Sequence, residues 1–209
     1  MNDTNQKFIV NIGRQIGSGG LEIGRKLSEL LQVDFYDKAL LKMAAKESGL
    51  DSSYFEKADE TPTDRLSFAL FSNPLNISSR KVLDKDELFK MQSNVIREVA
   101  RKKSCVIVGR TSDYILRDFP NSFNFFIHAP YEERLKWLVQ KEKISERRAA
   151  HMIHKIDRQR EHYYNYYTNK KWGLSASYHL SIDSSILGFE GTALLFKSFI
   201  EQTLLHKVK

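Results

Sequence analysis

Apolar residues in this chain alternate between short β-type runs and longer amphipathic segments. The runs predict strands at residues 8–12, 105–109, 123–129 and 178–182, with a shorter candidate at 33–37. Helical spacing predicts helices near residues 20–32, 38–48, 86–102, 131–141, 145–168 and 189–206. These strands are mostly too far apart for hairpins and nearly continuous in apolar character, as in a parallel sheet covered on both faces. The pattern therefore predicts an α/β fold, a three-layer sandwich with a mainly parallel sheet.

Polar residues follow the predicted strands at the points where these end. Arg14 follows the first strand, Asp37 and Lys38 the second, Arg110 the third and His128 the fourth. In an open parallel sheet, ligands bind beyond the carboxyl ends of the strands. One such residue alone is best explained as a helix cap or a surface charge. Three consecutive strand ends with cationic loops instead predict that one anionic ligand is surrounded by positive charge.

A glycine-rich loop lies between the first predicted strand and the following helix. Its glycines are Gly13, Gly17, Gly19 and Gly20. Glycine allows positive φ and close approach of the backbone, so that successive N–H groups can face an anion next to the positive end of a helix. A tight turn is the simpler alternative. The density of glycines between a strand and a helix favours a phosphate-binding loop.

The loop lacks two side chains of the usual P-loop pattern, G-x-x-x-x-G-K-[ST]. Gly20 stands where that pattern has lysine, and Leu21 and Glu22 stand where it has the hydroxyl. Positive charge must therefore come from elsewhere, and Arg14 is the expected replacement for the lysine. Ser18 and Asp37 are the candidates to contact magnesium or its water shell, although serine in such a loop is equally often a turn residue.

The composition fits one soluble domain over residues 1–209. The chain has 41% hydrophobic and 28% charged residues and a net charge of +7. It has no apolar run long enough for a membrane helix and no signal-peptide pattern, so we expect no membrane partner. The single Cys105, in an apolar run, suits a buried position in a cytoplasmic protein. The positive charge fits either nucleic acid or a clamp on several phosphates. The sequence predicts no oligomeric state.

Six segments, taken in order and spacing, resemble the cytidylate kinase-like family of bacterial proteins, a branch of the nucleoside monophosphate kinases. They are GRQIGSGG, FYDKALLKMAAKESGL, VIVGRTSDYILRDFP, FFIHAPYEERL, DRQREHYYNYYT and KKWG. The resemblance implies a P-loop kinase fold with a small monophosphate-binding insertion, placed at 49–85, and a helical lid, placed at 143–172. It also implies transfer of the γ-phosphoryl group from ATP, with Mg²⁺, to a nucleoside monophosphate, with CMP or dCMP as first choice. The irregular segment 49–85 is equally explained as a surface loop packed on its own core.

The resemblance also assigns roles to single residues. Gly17, Ser18, Gly19 and Gly20 match the phosphate loop. Asp37 falls near the start of the monophosphate-binding segment.

Four further residues match the acceptor site and the lid of this family. Arg110 resembles the arginine that contacts the acceptor nucleotide, and Asp113 stands two residues beyond Thr111, which replaces the family's aspartate. Asp157 resembles the aspartate that recognises the base, and Arg160 the arginine that meets the acceptor phosphate. Together with Arg14 and Arg110, Arg148 and Arg160 are expected to form the electropositive shell of the catalytic site. Which residues would bind the metal directly is left open.

Several family positions differ in this chain. Leu21 replaces an arginine, Leu174 replaces the aspartate of W-G-D, and His179 replaces another aspartate. These changes leave open a catalytically weak or inactive nucleotide-binding protein with a regulatory role. A nucleic-acid-binding protein is the third possibility, although we do not expect nucleic acid as a partner. Polymer binding would weaken steeply with salt, whereas a kinase would form ADP in a magnesium-dependent reaction.

Overall fold

Five parallel strands form one sheet in the order β2-β3-β1-β4-β5 in the computed structural model, which describes residues 6–37 and 85–207. The strands are β1 (Ile9–Arg14), β2 (Asp34–Tyr36), β3 (Cys105–Val108), β4 (Ser122–His128) and β5 (Leu180–Asp183). Every predicted strand is present, and all the pairings are parallel. The predicted α/β fold with a parallel sheet is confirmed.

Helices cover both faces of this sheet. They are α1 (Gly20–Leu31), α2 (Lys85–Lys102), α3 (Ser112–Ile115), α4 (Tyr131–Glu142), α5 (Glu146–Thr168) and α6 (Ser184–Lys207), with a short 3₁₀ turn at Ser175–Ser177. The predicted helix at 38–48 and the predicted insertion at 49–85 lie outside the described residues, apart from residue 85. The segment 143–172, predicted as a lid, consists mainly of α5, and its role as a lid stays a prediction.

Helix α6 begins before residue 189, where the hydrophobic pattern predicted it to start. The carboxylate of Asp183 accepts a hydrogen bond of 2.9 Å from the N–H of Ser185 and so caps the first turn. The helical conformation is then interrupted at Gly188, whose φ is 64°. The interruption explains why helical spacing is clear in the sequence only beyond this glycine.

Alternate residues of the central strands fill two separate cores, as expected for a sheet between two helical layers. Val10 and Ile12 belong to one core, which includes residues of α1 and α6. Ile9 and Ile107 belong to the other, which includes residues of α2 and α3. Burial raises the pKa of the Cys105 thiol to about 12, so this residue packs as a small apolar side chain.

The strand order brings three loops together at the carboxyl edge of the sheet. Strand β1 lies between β3 and β4, and β2 lies on the other side of β3. The N–H of Gly109 still bonds the carbonyl of Ile12, at 2.9 Å, where β3 ends. The segments that follow β1, β3 and β2 are therefore neighbours, as the polar strand ends predicted.

Candidate functional site

The segment between β1 and α1 forms an open bend with unused backbone donors. Gly17 and Gly19 have positive φ angles of 79° and 72°. Among the described residues, no acceptor bonds the N–H groups of Gly17, Ser18 and Gly19. The Ser18 hydroxyl instead turns inward, donating to the carbonyls of Gln15 at 2.9 Å and Ile127 at 3.2 Å. Consecutive unpaired amides next to a helix N-terminus make an anion-binding bend.

Close contacts explain why the bend needs glycine. A Cβ atom at Gly17 would lie 2.8 Å from the backbone oxygen of Arg134, in α4. A Cβ atom at Gly19 would collide with the ring of Phe189, in α6. Ser184, also in α6, donates a hydrogen bond of 2.8 Å to the carbonyl of Ser18. The bend is therefore held from outside by two helices of the core.

Arg14 crosses from the bend to the loop after β3. A Cβ atom at Gly20 would lie 2.6 Å from the Cβ of Arg14 and 2.8 Å from its Cγ. At the other end, a Cβ atom at Gly109 would collide with the guanidinium of Arg14. Two glycines thus leave a passage for this side chain. Arg14 forms no ion pair within 4.0 Å with any described residue.

The loop after β3 is held in an unusual conformation. Gly109, Arg110 and Thr111 all have positive φ angles, of 80°, 61° and 52°. Gln92, in α2, supports this loop through both ends of its amide, because its oxygen accepts from Arg110 Nη1 at 3.1 Å and its nitrogen donates to the carbonyl of Arg110 at 3.4 Å. Non-glycine residues in the left-handed region cost free energy and cluster at functional sites.

The middle of α5 completes the site. Arg160 donates from Nη1 to the carbonyl of Arg14 at 3.0 Å. One turn earlier, Asp157 accepts from the N–H of Ile16 at 2.8 Å and pairs with Arg134 at 2.5 Å. Helix α5 is therefore attached to the end of β1 and the segment after it by Asp157 and Arg160, which lie three residues apart on the same face of the helix.

Positive charge on the three guanidinium groups that meet here is disfavoured by burial and by the neighbouring guanidinium groups. Burial, followed by Arg160 and Arg110, lowers the pKa of Arg14 well below its ordinary value. Burial lowers the pKa of Arg160 to about 10, with Asp157 opposing and Arg110 adding to this effect. Burial also lowers the pKa of Arg110, against the attraction of Tyr163 and Asp37. A bound anion would relieve both the repulsion and the lost hydration.

The structure brings together Arg14, Arg110, Arg160 and Asp37 of the residues predicted from the sequence, beside the glycine bend. Asp37 lies close enough to influence the pKa of both Arg14 and Arg110, and 4.0 Å from Arg25.

Two further predicted residues have different surroundings, and their roles stay predictions. Arg148 is exposed in the first turn of α5. Asp113 is buried and accepts a hydrogen bond of 2.7 Å from the hydroxyl of Tyr164. Asp157 lies beside the bend, where one of its oxygens accepts from the N–H of Ile16 and the other from Arg134.

Arg134 is the site residue that the sequence analysis missed. Only 8% of its side chain is exposed, and it bonds both Asp157 and the carbonyl of Ile16. A signal was present, because Arg134 precedes the buried Leu138 by one helical turn and so shares its face of α4. A charged residue on a buried helix face needs a partner there.

Comparison with known proteins identifies the family and the fold. A model described as the cytidylate kinase-like family matches residues 9–186. The chain belongs to the cytidylate kinase-like family. No curated protein is significantly similar to this chain.

Two solved structures extend the comparison. An uncharacterised protein from Eubacterium ventriosum is 27% identical, with a TM-score of 0.72, covering 93% of this chain and 99% of that one. A shikimate kinase from Bacteroides thetaiotaomicron is 12% identical, with a TM-score of 0.55, covering 94% and 99%. The second likeness concerns the fold alone. Family and fold together make this a kinase-like protein with a P-loop kinase fold.

Two absences complete the description. In residues 6–37 and 85–207, no three histidine, cysteine, aspartate or glutamate side chains are grouped as a metal site would require. Over the same residues, no helix has both the length and the apolar character needed to cross a membrane.

Proposed function

We propose that this member of the family transfers the γ-phosphoryl group of ATP to a nucleoside monophosphate, with CMP or dCMP as the first acceptor to test. One observation carries the proposal. Three partly buried guanidinium groups meet at one edge of the sheet with three backbone N–H groups that have no acceptor in residues 6–37 and 85–207, from elements far apart in the chain. Phosphoryl transfer requires alignment of two anionic substrates and neutralisation of their charge, which such an arrangement supplies.

Arg14 replaces the lysine of the usual phosphate loop in this proposal. Gly20 stands at the lysine position, and a Cβ atom there would lie 2.6 Å from the Cβ of Arg14. Any side chain at position 20, lysine included, would therefore collide with the first carbon atoms of the Arg14 side chain in this geometry. In this proposal the chain has exchanged the lysine at position 20 for an arginine at position 14, and the donor phosphates keep a cation beside the bend.

In this proposal Arg160 holds the acceptor phosphate and Arg110 contacts the acceptor nucleotide, as the family resemblance implies. Both contribute to the charge around Arg14, and Arg160 is fixed by its bond to the Arg14 carbonyl. An arginine can grip a phosphate with two parallel hydrogen bonds, which also sets its orientation. The guanidinium groups of Arg14, Arg110 and Arg160 would then lie between the phosphates of the two substrates.

Magnesium fits this site through phosphates and water. Mg²⁺ in kinases is usually held by one or two carboxylates, the substrate phosphates and several waters, so a dedicated cluster of protein ligands is not required. Asp37 is the carboxylate beside Arg14 and Arg110 that would hold the ion's water shell. The Ser18 hydroxyl does not fit, because Ser18 is buried and its hydroxyl is turned inward, toward the carbonyls of Gln15 and Ile127. When bound, the ion neutralises charge on the transferred group.

The direct test is incubation of the purified protein with Mg·ATP and a panel of monophosphates, CMP, dCMP, UMP, AMP and GMP. Phosphorus NMR should show ADP and a new nucleoside diphosphate in equal amounts, with CMP or dCMP fastest. Arg110→Gln should raise the KM of the acceptor or lower kcat. The matched control is Arg158→Gln, which removes an exposed arginine of α5. Absence of diphosphate with every acceptor would contradict the proposal.

A second candidate function is nucleotide binding without turnover. Its support is the side chain of Leu21, which is 36% exposed at the first position of α1 after Gly20 and adds no charge to the bend. A regulatory protein of this kind would bind ADP or ATP with measurable affinity in calorimetry. It would form no diphosphate in the NMR assay, which separates it from the kinase.

A further inference from the structure

We infer that Asp157 and Arg134 are positioning residues that set the geometry of the phosphate bend, and that Asp157 does not read the base of the acceptor. This inference rests on the proposed function, because it concerns how the bend is prepared for nucleotide phosphates. It assigns Arg134 a role in the site and gives Asp157 a different one from that implied by the family resemblance.

The first step is the occupancy of the Asp157 carboxylate. One oxygen accepts from the N–H of Ile16 at 2.8 Å, and the other pairs with Arg134 Nη1 at 2.5 Å. Only 15% of the side chain is exposed. A base-reading aspartate would need an oxygen that faces the substrate, and here one oxygen is directed at the backbone of the bend and the other at Arg134.

The second step concerns the backbone of Ile16. Arg134 Nη1 also donates to the carbonyl of Ile16, at 3.2 Å, so the pair holds both the N–H and the C=O of this residue. Because a trans peptide is planar, its C=O and N–H point in opposite directions. The bond from Arg134 therefore turns the N–H of Gly17 away from Arg134. That N–H is the first of the three unpaired donors in the bend.

The third step is the tight fit on the same side. A Cβ atom at Gly17 would lie 2.8 Å from the backbone oxygen of Arg134 and 2.9 Å from its Cβ. Arg134 thus packs against Gly17 through its backbone oxygen and Cβ, and bonds the carbonyl of Ile16 through its guanidinium. Helices α4 and α5 reach the bend together through this ion pair.

The fourth step is the chemistry of the pair itself. Arg134 is 7% exposed, and its buried Nε has no hydrogen-bond partner among the described residues. A buried ion pair is weak evidence for stability, since apolar residues of similar volume often stabilise a protein as well or better. An unpaired donor adds a further penalty. The arrangement is better explained by the directed bonds that it makes to Ile16.

The test uses Asp157→Asn and Arg134→Lys in the full chain, with Arg158→Gln as the matched control on the exposed side of α5. The asparagine keeps an oxygen for Ile16 and removes the charge, and the lysine keeps the charge and removes the planar fork. Hydrogen exchange measured by NMR should show the Ile16 amide exchanging about tenfold faster in Asp157→Asn than in wild type or the control. Isothermal calorimetry should show ADP binding at least about tenfold weaker in both variants.

Acceptor discrimination separates the two roles of Asp157. The ratio of kcat/KM for CMP to that for UMP should stay within about twofold of the wild-type ratio in Asp157→Asn, because the base is read elsewhere. A collapsed ratio with unchanged ADP affinity would overturn the inference, as would unchanged exchange at Ile16. Wild-type protein that binds ADP but forms no diphosphate would contradict the proposed function alone. In that case, exchange and ADP binding still decide the inference.

Discussion

The first turn of helix α5 and its middle differ in what surrounds their arginines. Arg148 is exposed near the start of the helix, whereas Arg160 is partly buried and bonds the carbonyl of Arg14 at 3.0 Å. Twelve residues separate them, which corresponds to about 18 Å along the helix axis. One helix therefore carries one arginine at the convergence of strand ends and another far from it.

The difference shows that the order of strands in the sheet, rather than helix α5, decides which arginines come together. Arg160 meets Arg14 and Arg110 because β1 and β3 are adjacent and end at the same edge. Arg148 follows no strand and stands on the far turn of α5. We therefore expect substitutions to affect function in proportion to their closeness to this edge, and the predictions below run from the largest expected effect to the smallest.

Arg14→Ala should have the largest effect, because it removes the cation beside the unpaired amides. We expect kcat/KM for ATP to fall by about a hundredfold or more in the assay with CMP. Gly20→Lys alone should also impair activity, since its Cβ would meet the Cβ of Arg14 at 2.6 Å. The double variant Arg14→Gly/Gly20→Lys removes that contact, because glycine has no Cβ, and should recover part of the lost activity. Wild-type kinetics in Arg14→Ala, or no recovery in the double variant, would contradict the exchange.

The fold was largely predictable from the sequence for a physical reason. Buried parallel strands need continuous apolar runs, and such runs at 105–109 and 123–129 correspond to β3 and β4. The order of the strands was not predicted from the apolar runs, because pairing is decided by contacts between distant segments.

The candidate site was predictable only in part. Polar strand ends pointed to Arg14 and Arg110, since topology collects such ends at one edge. Composition could not separate Arg148 from Arg160, because both lie on an amphipathic helix and differ only in tertiary surroundings. Arg134 was missed because its partner, Asp157, is 23 residues away on another helix.

Arg160→Gln should have the next largest effect. It removes one of the three cations at the site, and with it the hydrogen bond to the Arg14 carbonyl. A hydrogen bond to a charged group contributes about 1.5–3 kcal/mol, so we expect the KM of the acceptor to rise or kcat to fall by about 10- to 100-fold. Arg160→Lys keeps the charge without the planar guanidinium, so its KM and kcat should lie between those of wild type and Arg160→Gln. Steady-state kinetics with CMP varied at saturating ATP measure this, and equal kinetics in all three proteins would refute the acceptor role.

Asp113→Asn should change stability and leave kinetics unaltered, because Asp113 is buried against Tyr164. Burial raises the pKa of Asp113, with the Tyr164 hydrogen bond opposing this effect. The folded protein therefore holds this proton more tightly than the unfolded chain, whose aspartates have a pKa of about 3.9. Stability contributed by this group is present below about pH 4 and is lost as the pH rises through the higher folded pKa.

Thermal unfolding between pH 4 and pH 8 tests this difference. In wild type, Asp113 makes the protein less stable as the pH rises, and this decrease should be absent in Asp113→Asn. The asparagine oxygen can still accept the hydrogen bond from Tyr164. We expect a gain of about 1 kcal/mol at the upper end of this range. A lower kcat/KM for CMP at unchanged stability would instead place Asp113 in the acceptor site, as the family resemblance implies.

Arg148→Gln should have the smallest effect and is the sharpest test of the comparison. Exposed substitutions away from special features usually change stability by no more than about 0.5 kcal/mol. The backbone N–H of Arg148 bonds Ser145 at the start of α5, and this bond does not involve the guanidinium. We therefore expect kcat and both KM values within about twofold of wild type. If Arg148→Gln impaired turnover as strongly as Arg160→Gln, the first turn of α5 would have to approach the substrates during the reaction. The segment 143–172 would then act as the lid that the sequence predicts.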